Sequence, residues 1–420
     1  MSATKDGFSR DPSGNATFSG TPLATLMTQA QVTSPAYFYD LSGIFRRARK
    51  LEDAFGDAKH LVAYAIKANS AGSIVRTIAE AGGGVDAVSG GELMLARQLG
   101  VPSRKIVLSG VAKREDEIRL ALEEDILAVQ AESVEELQRI QSCALKLGKV
   151  ARVSLRLNPS VAIDSHSHIA TGHDAAKFGV AQSDVPAALS AISASENMLL
   201  VGLSTHVGSM LSNPISYLES ARVVCKFAAH LRQDGAQLEY VDFGGGFGID
   251  YGQGATSAPA DFAREALALL KQQGLQDLIL VVEPGRSLVG PFGVLVSQVV
   301  QSKQSGPRKW LMIDCGMNDL LRPALYQATH RIEPLDQPPN GPLLQVVGPV
   351  CESTDDFGLH SLPVETQWVA IRDAGAYGYC MASQYNGRPL PAEVFVRDGK
   401  VVHKSPSPGV AHWVRGRTEA

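Results

Sequence analysis

A single lysine closes an otherwise apolar run, Leu61–Ala68, within Ala63-Tyr-Ala-Ile-Lys-Ala-Asn69. An isolated ammonium among apolar neighbours is costly, so Lys67 is paired, released to water at a strand end, or held with a lowered pKa. The last two states describe a reactive amine of the kind that forms Schiff bases with aldehydes and carbonyl compounds. A lysine snorkelling from a strand terminus is the structural alternative. Polar residues recur in or at the ends of the other apolar runs, or just after them: Asp86 within the second and Ser89 at its end, Ser109, Asn158, His206, the glycines 244 to 246 after the seventh, and Glu283 followed by Pro284, Gly285 and Arg286. Each has a local explanation, Asp86 or Asn158 as a helix cap, His206 as a satisfied core histidine, Glu283 as a surface charge. Independent local explanations do not account for one shared position.

That position follows from a repeating pattern of short β-branched runs, turns and amphipathic stretches of helical length between Leu61 and Gly285. The runs are Leu61–Ala68, Val85–Ser89, Lys105–Ser109, Ile126–Ala131, Ala151–Asn158, Leu199–His206, Leu238–Phe243 and Leu278–Glu283. Helical segments such as Gly91–Leu99, Arg114–Glu124, Ser133–Leu147, Pro214–Gln233 and Ala260–Gln273 separate them. About eight such units fit a closed TIM-like (β/α)8 barrel over residues 35–290, with a doubly wound open sheet as the alternative. In such a barrel the active site lies at the carboxyl ends of the strands, where these polar residues fall. After Gly290 the strands Val294–Val300, Trp310–Ile313, Leu343–Val347, Gln367–Ile371 and Glu393–Val396 follow without long helices, which predicts an antiparallel β-sandwich or barrel over residues 291–420. Residues 1–34 form an N-terminal extension and strand region associated with that β domain. Its first 20 or so residues are rich in Ser, Gly, Thr and Asp and read as a poorly ordered start. The segment Tyr37–Tyr39 offers the β domain a further strand, which would make that domain discontinuous.

Composition narrows the function. A length of 420 residues allows two domains, and 45% apolar with 20% charged residues is ordinary for a globular protein. A formal charge of −4 provides no basic field for nucleic acid. No apolar stretch reaches the ~18 residues of a spanning helix, and no basic region followed by an apolar one opens the chain, so neither a membrane nor export is expected and the cytoplasm is. Five scattered cysteines without a CxxC pair argue against a disulfide framework and a structural zinc. Three histidines, His166, His168 and His173, lie between Ser160 and Phe178, but their spacing in a turn-rich stretch fits a substrate-covering loop better than a metal site, and no metal is expected.

The polar residues together suit a cofactor carrying both a phosphate and an aldehyde. Pyridoxal 5'-phosphate needs a Schiff-base lysine, a phosphate cradle and an acidic partner for its pyridine nitrogen. Lys67, the glycine run with Gly285 and Arg286, and Glu283 would supply these. His206 would lie against the ring face and Ser209 would reach the phosphate.

The motifs Tyr64-Ala-Ile-Lys-Ala-Asn69, Val88-Ser-Gly-Gly-Glu92, His206-Val-Gly-Ser209, Phe243-Gly-Gly-Gly246 and Glu283-Pro-Gly-Arg286 resemble the alanine-racemase-fold pyridoxal phosphate decarboxylases. Within that family the second half is most similar to the diaminopimelate decarboxylases, through Met317-Asn-Asp-Leu-Leu-Arg-Pro-Ala-Leu-Tyr326, Gly348-Pro-Val-Cys-Glu-Ser353 followed by Asp355, and Gly375-Ala-Tyr-Gly378 with Ser383-Gln-Tyr-Asn386. Ornithine decarboxylases usually carry Cys-Asp where this chain has Cys351-Glu352. The resemblance implies that Lys67 forms the internal aldimine, His206 stacks on the pyridine, Glu283 partners its nitrogen, and Cys351 donates a proton. Asp86, Ser209, Gly245, Gly246, Pro284, Gly285, Arg286 and Tyr377 would also bind the cofactor. Arg286, Arg322, Tyr326, Glu352 and Tyr377 would contact meso-diaminopimelate, with Cys351 and Glu352 entering from the neighbouring subunit of a homodimer. A carboxylate of the substrate suits bidentate arginine, and its distal ammonium suits Glu352. The alternatives are a decarboxylase of D-ornithine, D-lysine or arginine, a non-catalytic relative of the same fold, and a barrel aldolase using Lys67 without pyridoxal.

Overall fold

The computed structural model describes residues 7–160 and 177–418 in two compact units, one of residues 47–249 and 255–287, the other of residues up to 46, 250–254 and 288 onward. The chain begins with β1 (Phe8–Arg10), β2 (Ala16–Phe18), β3 (Thr21–Pro22) and β4 (Ala36–Asp40). Eight strands then close into a barrel: β5 (His60–Ala65), β6 (Gly84–Ala87), β7 (Ile106–Leu108), β8 (Ala128–Ala131), β9 (Ala151–Leu157), β10 (Met198–Thr205), β11 (Tyr240–Gly245) and β12 (Ile279–Glu283). All eight pairings are parallel, including β12 with β5, which closes the ring. The open-sheet alternative is thereby excluded. Inside, Leu61, Ala63, Val107, Ala128, Val201, Tyr240 and Val281 pack together as a filled core.

Local chemistry explains why helices start where they do. Ser89 accepts from the Glu92 amide at 3.3 Å to cap the helix Gly90–Gln98, and Ser133 accepts from the Glu136 amide at 3.2 Å to cap Val134–Leu147. The expected strand over Leu61–Ala68 ends earlier: residues Ile66–Ala68 form a single 3-10 turn, so Lys67 stands just beyond the strand.

The second unit adds β13 (Gly293–Ser305), β14 (Arg308–Ile313), β15 (Ile332–Pro334), β16 (Leu343–Val347), β17 (Asp356–Ser361), β18 (Trp368–Ile371), β19 (Ala392–Arg397) and β20 (Lys400–Ser405). Two pairings, β14 with β16 and β4 with β19, are parallel, so the sheet is mixed rather than purely antiparallel. Long excursions between those partners allow the parallel return. Strand β4 lies between β13 and β19, so the tyrosine segment and the described residues up to 46 belong with this sheet, and a barrel boundary at residue 35 falls one strand early. The polar N-terminal stretch is not a disordered start where it is described. Phe8 and Phe18 face each other across β1 and β2 and pack with Phe38, Val294, Val394 and Val396. Two buried aromatics, each contributing about 2 kcal/mol by removal from water, order a segment whose composition alone reads as loop. The three-histidine stretch lies outside the described residues. Among the described residues no helix is long and apolar enough to cross a membrane.

One half-buried histidine gives barrel stability a pH dependence. His60 Nε2 lies 2.8 Å from Glu52 Oε2, its Nδ1 lies 2.8 Å from the Ala58 carbonyl, and its ring stacks on Phe55. Burial lowers its pKa, but the bonds to Glu52 and Ala58 prevail and the net shift is upward from 6.5. The folded state therefore holds this proton more tightly than the unfolded state. Its stabilisation is complete below the unfolded pKa and is lost as pH rises through the folded one. Denaturant melts over pH are expected to show the wild type losing up to ~1 kcal/mol relative to His60→Phe between about pH 6 and pH 9; parallel curves would refute this.

Candidate active site

The barrel gathers its polar residues at the carboxyl ends of its strands. Lys67 Nζ lies 2.7 Å from Asp86 Oδ2, and the Asp86 side chain has no exposed surface, whereas that of Lys67 retains 37%. Ser109 donates to the other oxygen of Asp86. The lysine is thus both paired and partly open to water, a geometry that keeps the amine at the surface of the site.

Across the barrel mouth from β8, the Gln130 amide donates to Asp242 at 2.8 Å and to Glu283 at 3.3 Å, on the strands β11 and β12 that run up to β5. Asp242 and Glu283 also hydrogen-bond to each other, and burial raises the pKa of both, with mutual repulsion and Asp86 adding to the effect on Glu283. Lys67 opposes the shift of Glu283 without reversing it, and a hydrogen bond between two carboxyl groups needs a proton on one of them. His206 Nδ1 accepts from the Gly245 amide at 3.2 Å, and burial, then Arg156 and Lys67, push its pKa far below 6.5. His206 is therefore a neutral, flat ring, and its 3.8 Å approach to Glu283 is not an ion pair.

The glycine run is used differently from an open anion nest. Gly244 N donates to Asp242 Oδ1 at 2.8 Å and Gly245 N to His206, so two of the three amides serve the protein itself. A Cβ on Gly245 would come within 1.9 Å of the Glu283 carbonyl, and one on Gly246, at φ +89°, within 2.1 Å of the Gly208 carbonyl. Close approach of β11 to β12 and to the 206–209 turn therefore demands glycine. Arg286, next to Pro284 and Gly285 and largely buried, donates Nη2 to Ser209 Oγ at 3.2 Å. This places a guanidinium and a hydroxyl side by side as anion donors.

The remaining sequence-derived residues lie in the other unit. Cys351 and Glu352 are exposed on a turn held at three points: Asp355 accepts from the Met317 and Val350 amides at 2.6 and 2.7 Å, Asn386 Oδ1 accepts from the Cys351 amide at 2.9 Å, and Tyr385 donates to Glu352. Arg322 is buried beside Tyr251 and His330, and Tyr326 is half-buried at the end of the same short helix. Tyr377 adopts φ +55°, a strained state for a bulky side chain that is commonest at functional sites.

Several contributors escaped the sequence reading. Gln130 is a polar residue inside the buried strand β8, and Arg156, on β9, donates to Glu132 at 2.7 Å. Glu132 also accepts from the Gly179 amide at 2.8 Å. Polar residues within apolar runs were the available signal. Lys113 is buried, with Nζ at 2.5 Å from the Gly110 and Gln130 carbonyls and 3.0 Å from Glu136, and burial lowers its pKa. A buried amine with a lowered pKa is a second candidate for the reactive lysine, but three acceptors enclose it.

Residues 41–290 match the family described as pyridoxal-dependent decarboxylase, pyridoxal binding domain. The chain belongs to the pyridoxal-dependent decarboxylases. A diaminopimelate decarboxylase of Aquifex aeolicus is 39% identical over 373 residues, 88% of each chain. The diaminopimelate decarboxylase of Helicobacter pylori complexed with L-lysine superposes with a TM-score of 0.87 at 36% identity, covering 92% of this chain and 97% of that one. That of M. jannaschii in co-complex with L-lysine gives 0.91 at 32% identity, covering 99% and 98%. Within the pyridoxal-dependent decarboxylases the chain stands in the diaminopimelate decarboxylase branch, and its barrel joined to a β-sheet unit is the alanine-racemase fold.

The donor set fits the cofactor this family is named for. A partly exposed amine, a neutral imidazole, an anion-binding Ser209–Arg286 pair and a carboxyl pair requiring a counter-cation match an aldehyde, a ring face, a phosphate and a protonated pyridine nitrogen. Removing the charge while keeping the shape tests the last match. Glu283→Gln is expected to retain cofactor absorbance and lower kcat by roughly 100-fold; an unchanged kcat would separate Glu283 from the chemistry.

Proposed function

We propose that this pyridoxal-dependent decarboxylase converts meso-2,6-diaminopimelate to L-lysine and CO2, with pyridoxal 5'-phosphate attached covalently through Lys67. The observation that carries the reading is the Lys67–Asp86 pair standing at the same strand ends as Glu283, His206 and the Ser209–Arg286 pair. The relatives named for this reaction share most of the chain. When bound, the cofactor accepts the electron pair left when the bond between the α-carbon and its carboxylate breaks. The protein's residues do the rest. Asp86 keeps the Lys67 amine aimed from a fixed turn. Glu283, sharing its proton with Asp242, ionises against the ring nitrogen and holds the positive charge there. His206, neutral because it is buried beside cations, covers a ring face without adding charge. Ser209, Gly246, Gly285 and Arg286 hold the phosphate, with Tyr377 close to it.

Arg322 and Arg286 bind carboxylate, Glu352 pairs with the distal ammonium, and Tyr326 and Tyr377 line the substrate. Cys351 delivers a proton from Sγ to the former α-carbon, so that one carboxylate leaves and one proton replaces it. The exposure of Cys351 and Glu352 on a pinned turn supports their presentation to a neighbouring subunit, in a homodimer with shared sites. Cys143, Cys225 and Cys315 are buried thiols and Cys351 is an exposed one, which suits a reducing cytoplasm.

An assay of the holoenzyme with meso-diaminopimelate is expected to release lysine and CO2 in equal amounts, and inertness toward this substrate alone would move the search to other diamino acids. The same assay tests the shared site. Lys67→Ala and Cys351→Ala proteins, each inactive, should recover about a quarter of wild-type activity after mixed reassembly, because half of a random mixture is heterodimer with one intact site. No recovery would confine the site to one chain.

A further inference from the structure

Within the β unit Arg322 meets two side chains, His330 and Tyr251, to which neither the sequence motifs nor the proposed reaction gives a role. His330 Nε2 lies 2.7 Å from Arg322 Nη1, and His330 Nδ1 lies 2.8 Å from the Arg372 carbonyl oxygen. A carbonyl only accepts, so Nδ1 carries the proton. A guanidinium only donates, so Nε2 must offer its lone pair. The Arg372 carbonyl therefore fixes His330 as the neutral Nδ1–H tautomer, and that tautomer receives one guanidinium N–H in a set direction. From another side the Arg322 guanidinium carbon lies 4.3 Å from the centroid of the Tyr251 ring, within cation–π range, and the Tyr251 and His330 rings meet edge to face at 5.1 Å.

Both contacts rest on rigid backbone. His330 directly precedes the segment held by β15 on β18, where the Arg372 amide donates to the Arg331 carbonyl at 2.8 Å. Tyr251 belongs to the loop 250–254, in which Asp250 Oδ1 accepts from the amides of Gly252, Gln253 and Gly254. Arg331 donates to the Asp250 carbonyl and Gln253 to Thr329, which ties that loop to the same segment as His330.

We infer that His330 and Tyr251 are positioning residues that aim the Arg322 guanidinium and so set how tightly the enzyme holds the carboxylate at the non-reacting end of its substrate. The inference rests on the proposed role of Arg322 as a carboxylate-binding group. An arginine fork recognises a carboxylate only when its plane is correctly turned, and an unsupported side chain would have to be ordered at each binding event. The ring face fixes the plane, and the imidazole lone pair fixes the rotation within it. Such an interaction acts equally on bound substrate and transition state, so its loss appears in KM while kcat changes little.

The test is steady-state kinetics of the holoenzyme with meso-diaminopimelate for Arg322→Gln, His330→Phe, His330→Gln and Tyr251→Leu. Arg322→Gln is expected to raise KM most. His330→Phe keeps an aromatic ring but no acceptor, and should raise KM about tenfold with kcat within about threefold of wild type. His330→Gln offers an amide oxygen and should recover most of that loss. Tyr251→Leu should raise KM in the same manner, providing a second reading if His330→Phe does not fold. If Arg322→Gln raises KM while both His330→Phe and Tyr251→Leu leave it unchanged, the inference is overturned and the role of Arg322 stands. Equal damage from His330→Phe and His330→Gln would assign His330 to packing and overturn its part. If Arg322→Gln itself leaves KM unchanged, the carboxylate-binding role fails and the inference falls with it.

Discussion

Three carboxyl groups, those of Asp86, Asp242 and Glu283, are buried at the strand ends of one closed barrel, and the arrangement of the site follows from how their charge is managed. Burial of like charges is costly unless each meets a cation, a donor or a proton. Asp86 meets the Lys67 ammonium at 2.7 Å and the Ser109 hydroxyl. Asp242 takes donors from Gln130 and Gly244 and shares a proton with Glu283. That division leaves Lys67 anchored but accessible and Glu283 ready to ionise when a cation arrives. His206 remains neutral between them because the cations Arg156 and Lys67 add to the effect of burial.

The β unit follows a different logic. There the side chains placed at the proposed substrate site are presented by their neighbours. Asp355 takes two backbone amides to hold the turn carrying Cys351 and Glu352, so an exposed thiol and an exposed carboxylate stand on a backbone pinned by a neighbouring residue. Arg322 is oriented by an imidazole tautomer and an aromatic face. In each case the group that would touch substrate is held by a neighbour that would not.

Much of this was legible in the sequence for a physical reason. Parallel barrel strands are buried on both faces, so they appear as short apolar runs, and a polar residue ending a run stands out, as Lys67, His206 and Glu283 do. What escaped lies where that contrast fails. Phe8 and Phe18 sit in polar surroundings whose composition suggests a loop, although pairing across β1 and β2 buries both rings. Gln130 and Arg156 stand within runs rather than at their ends. The parallel contacts of β4 with β19 and of β14 with β16 join residues far apart in the chain, and no local pattern encodes them. The triple glycine was recognised for its freedom, but its actual use, letting strands and turn approach to within a Cβ of one another, depends on neighbours that only the fold supplies.

The central claim is that Lys67, rather than the more deeply buried Lys113, is the amine that holds the cofactor. The Lys113 ammonium is buried and enclosed by two carbonyls and Glu136, whereas Lys67, paired with Asp86, keeps 37% of its side-chain surface exposed. Borohydride reduction of the holoenzyme, followed by digestion and mass mapping of the pyridoxyl group, reads this directly. The account predicts a single modified peptide containing Lys67, and a pyridoxyl group on Lys113 or any other lysine would contradict it.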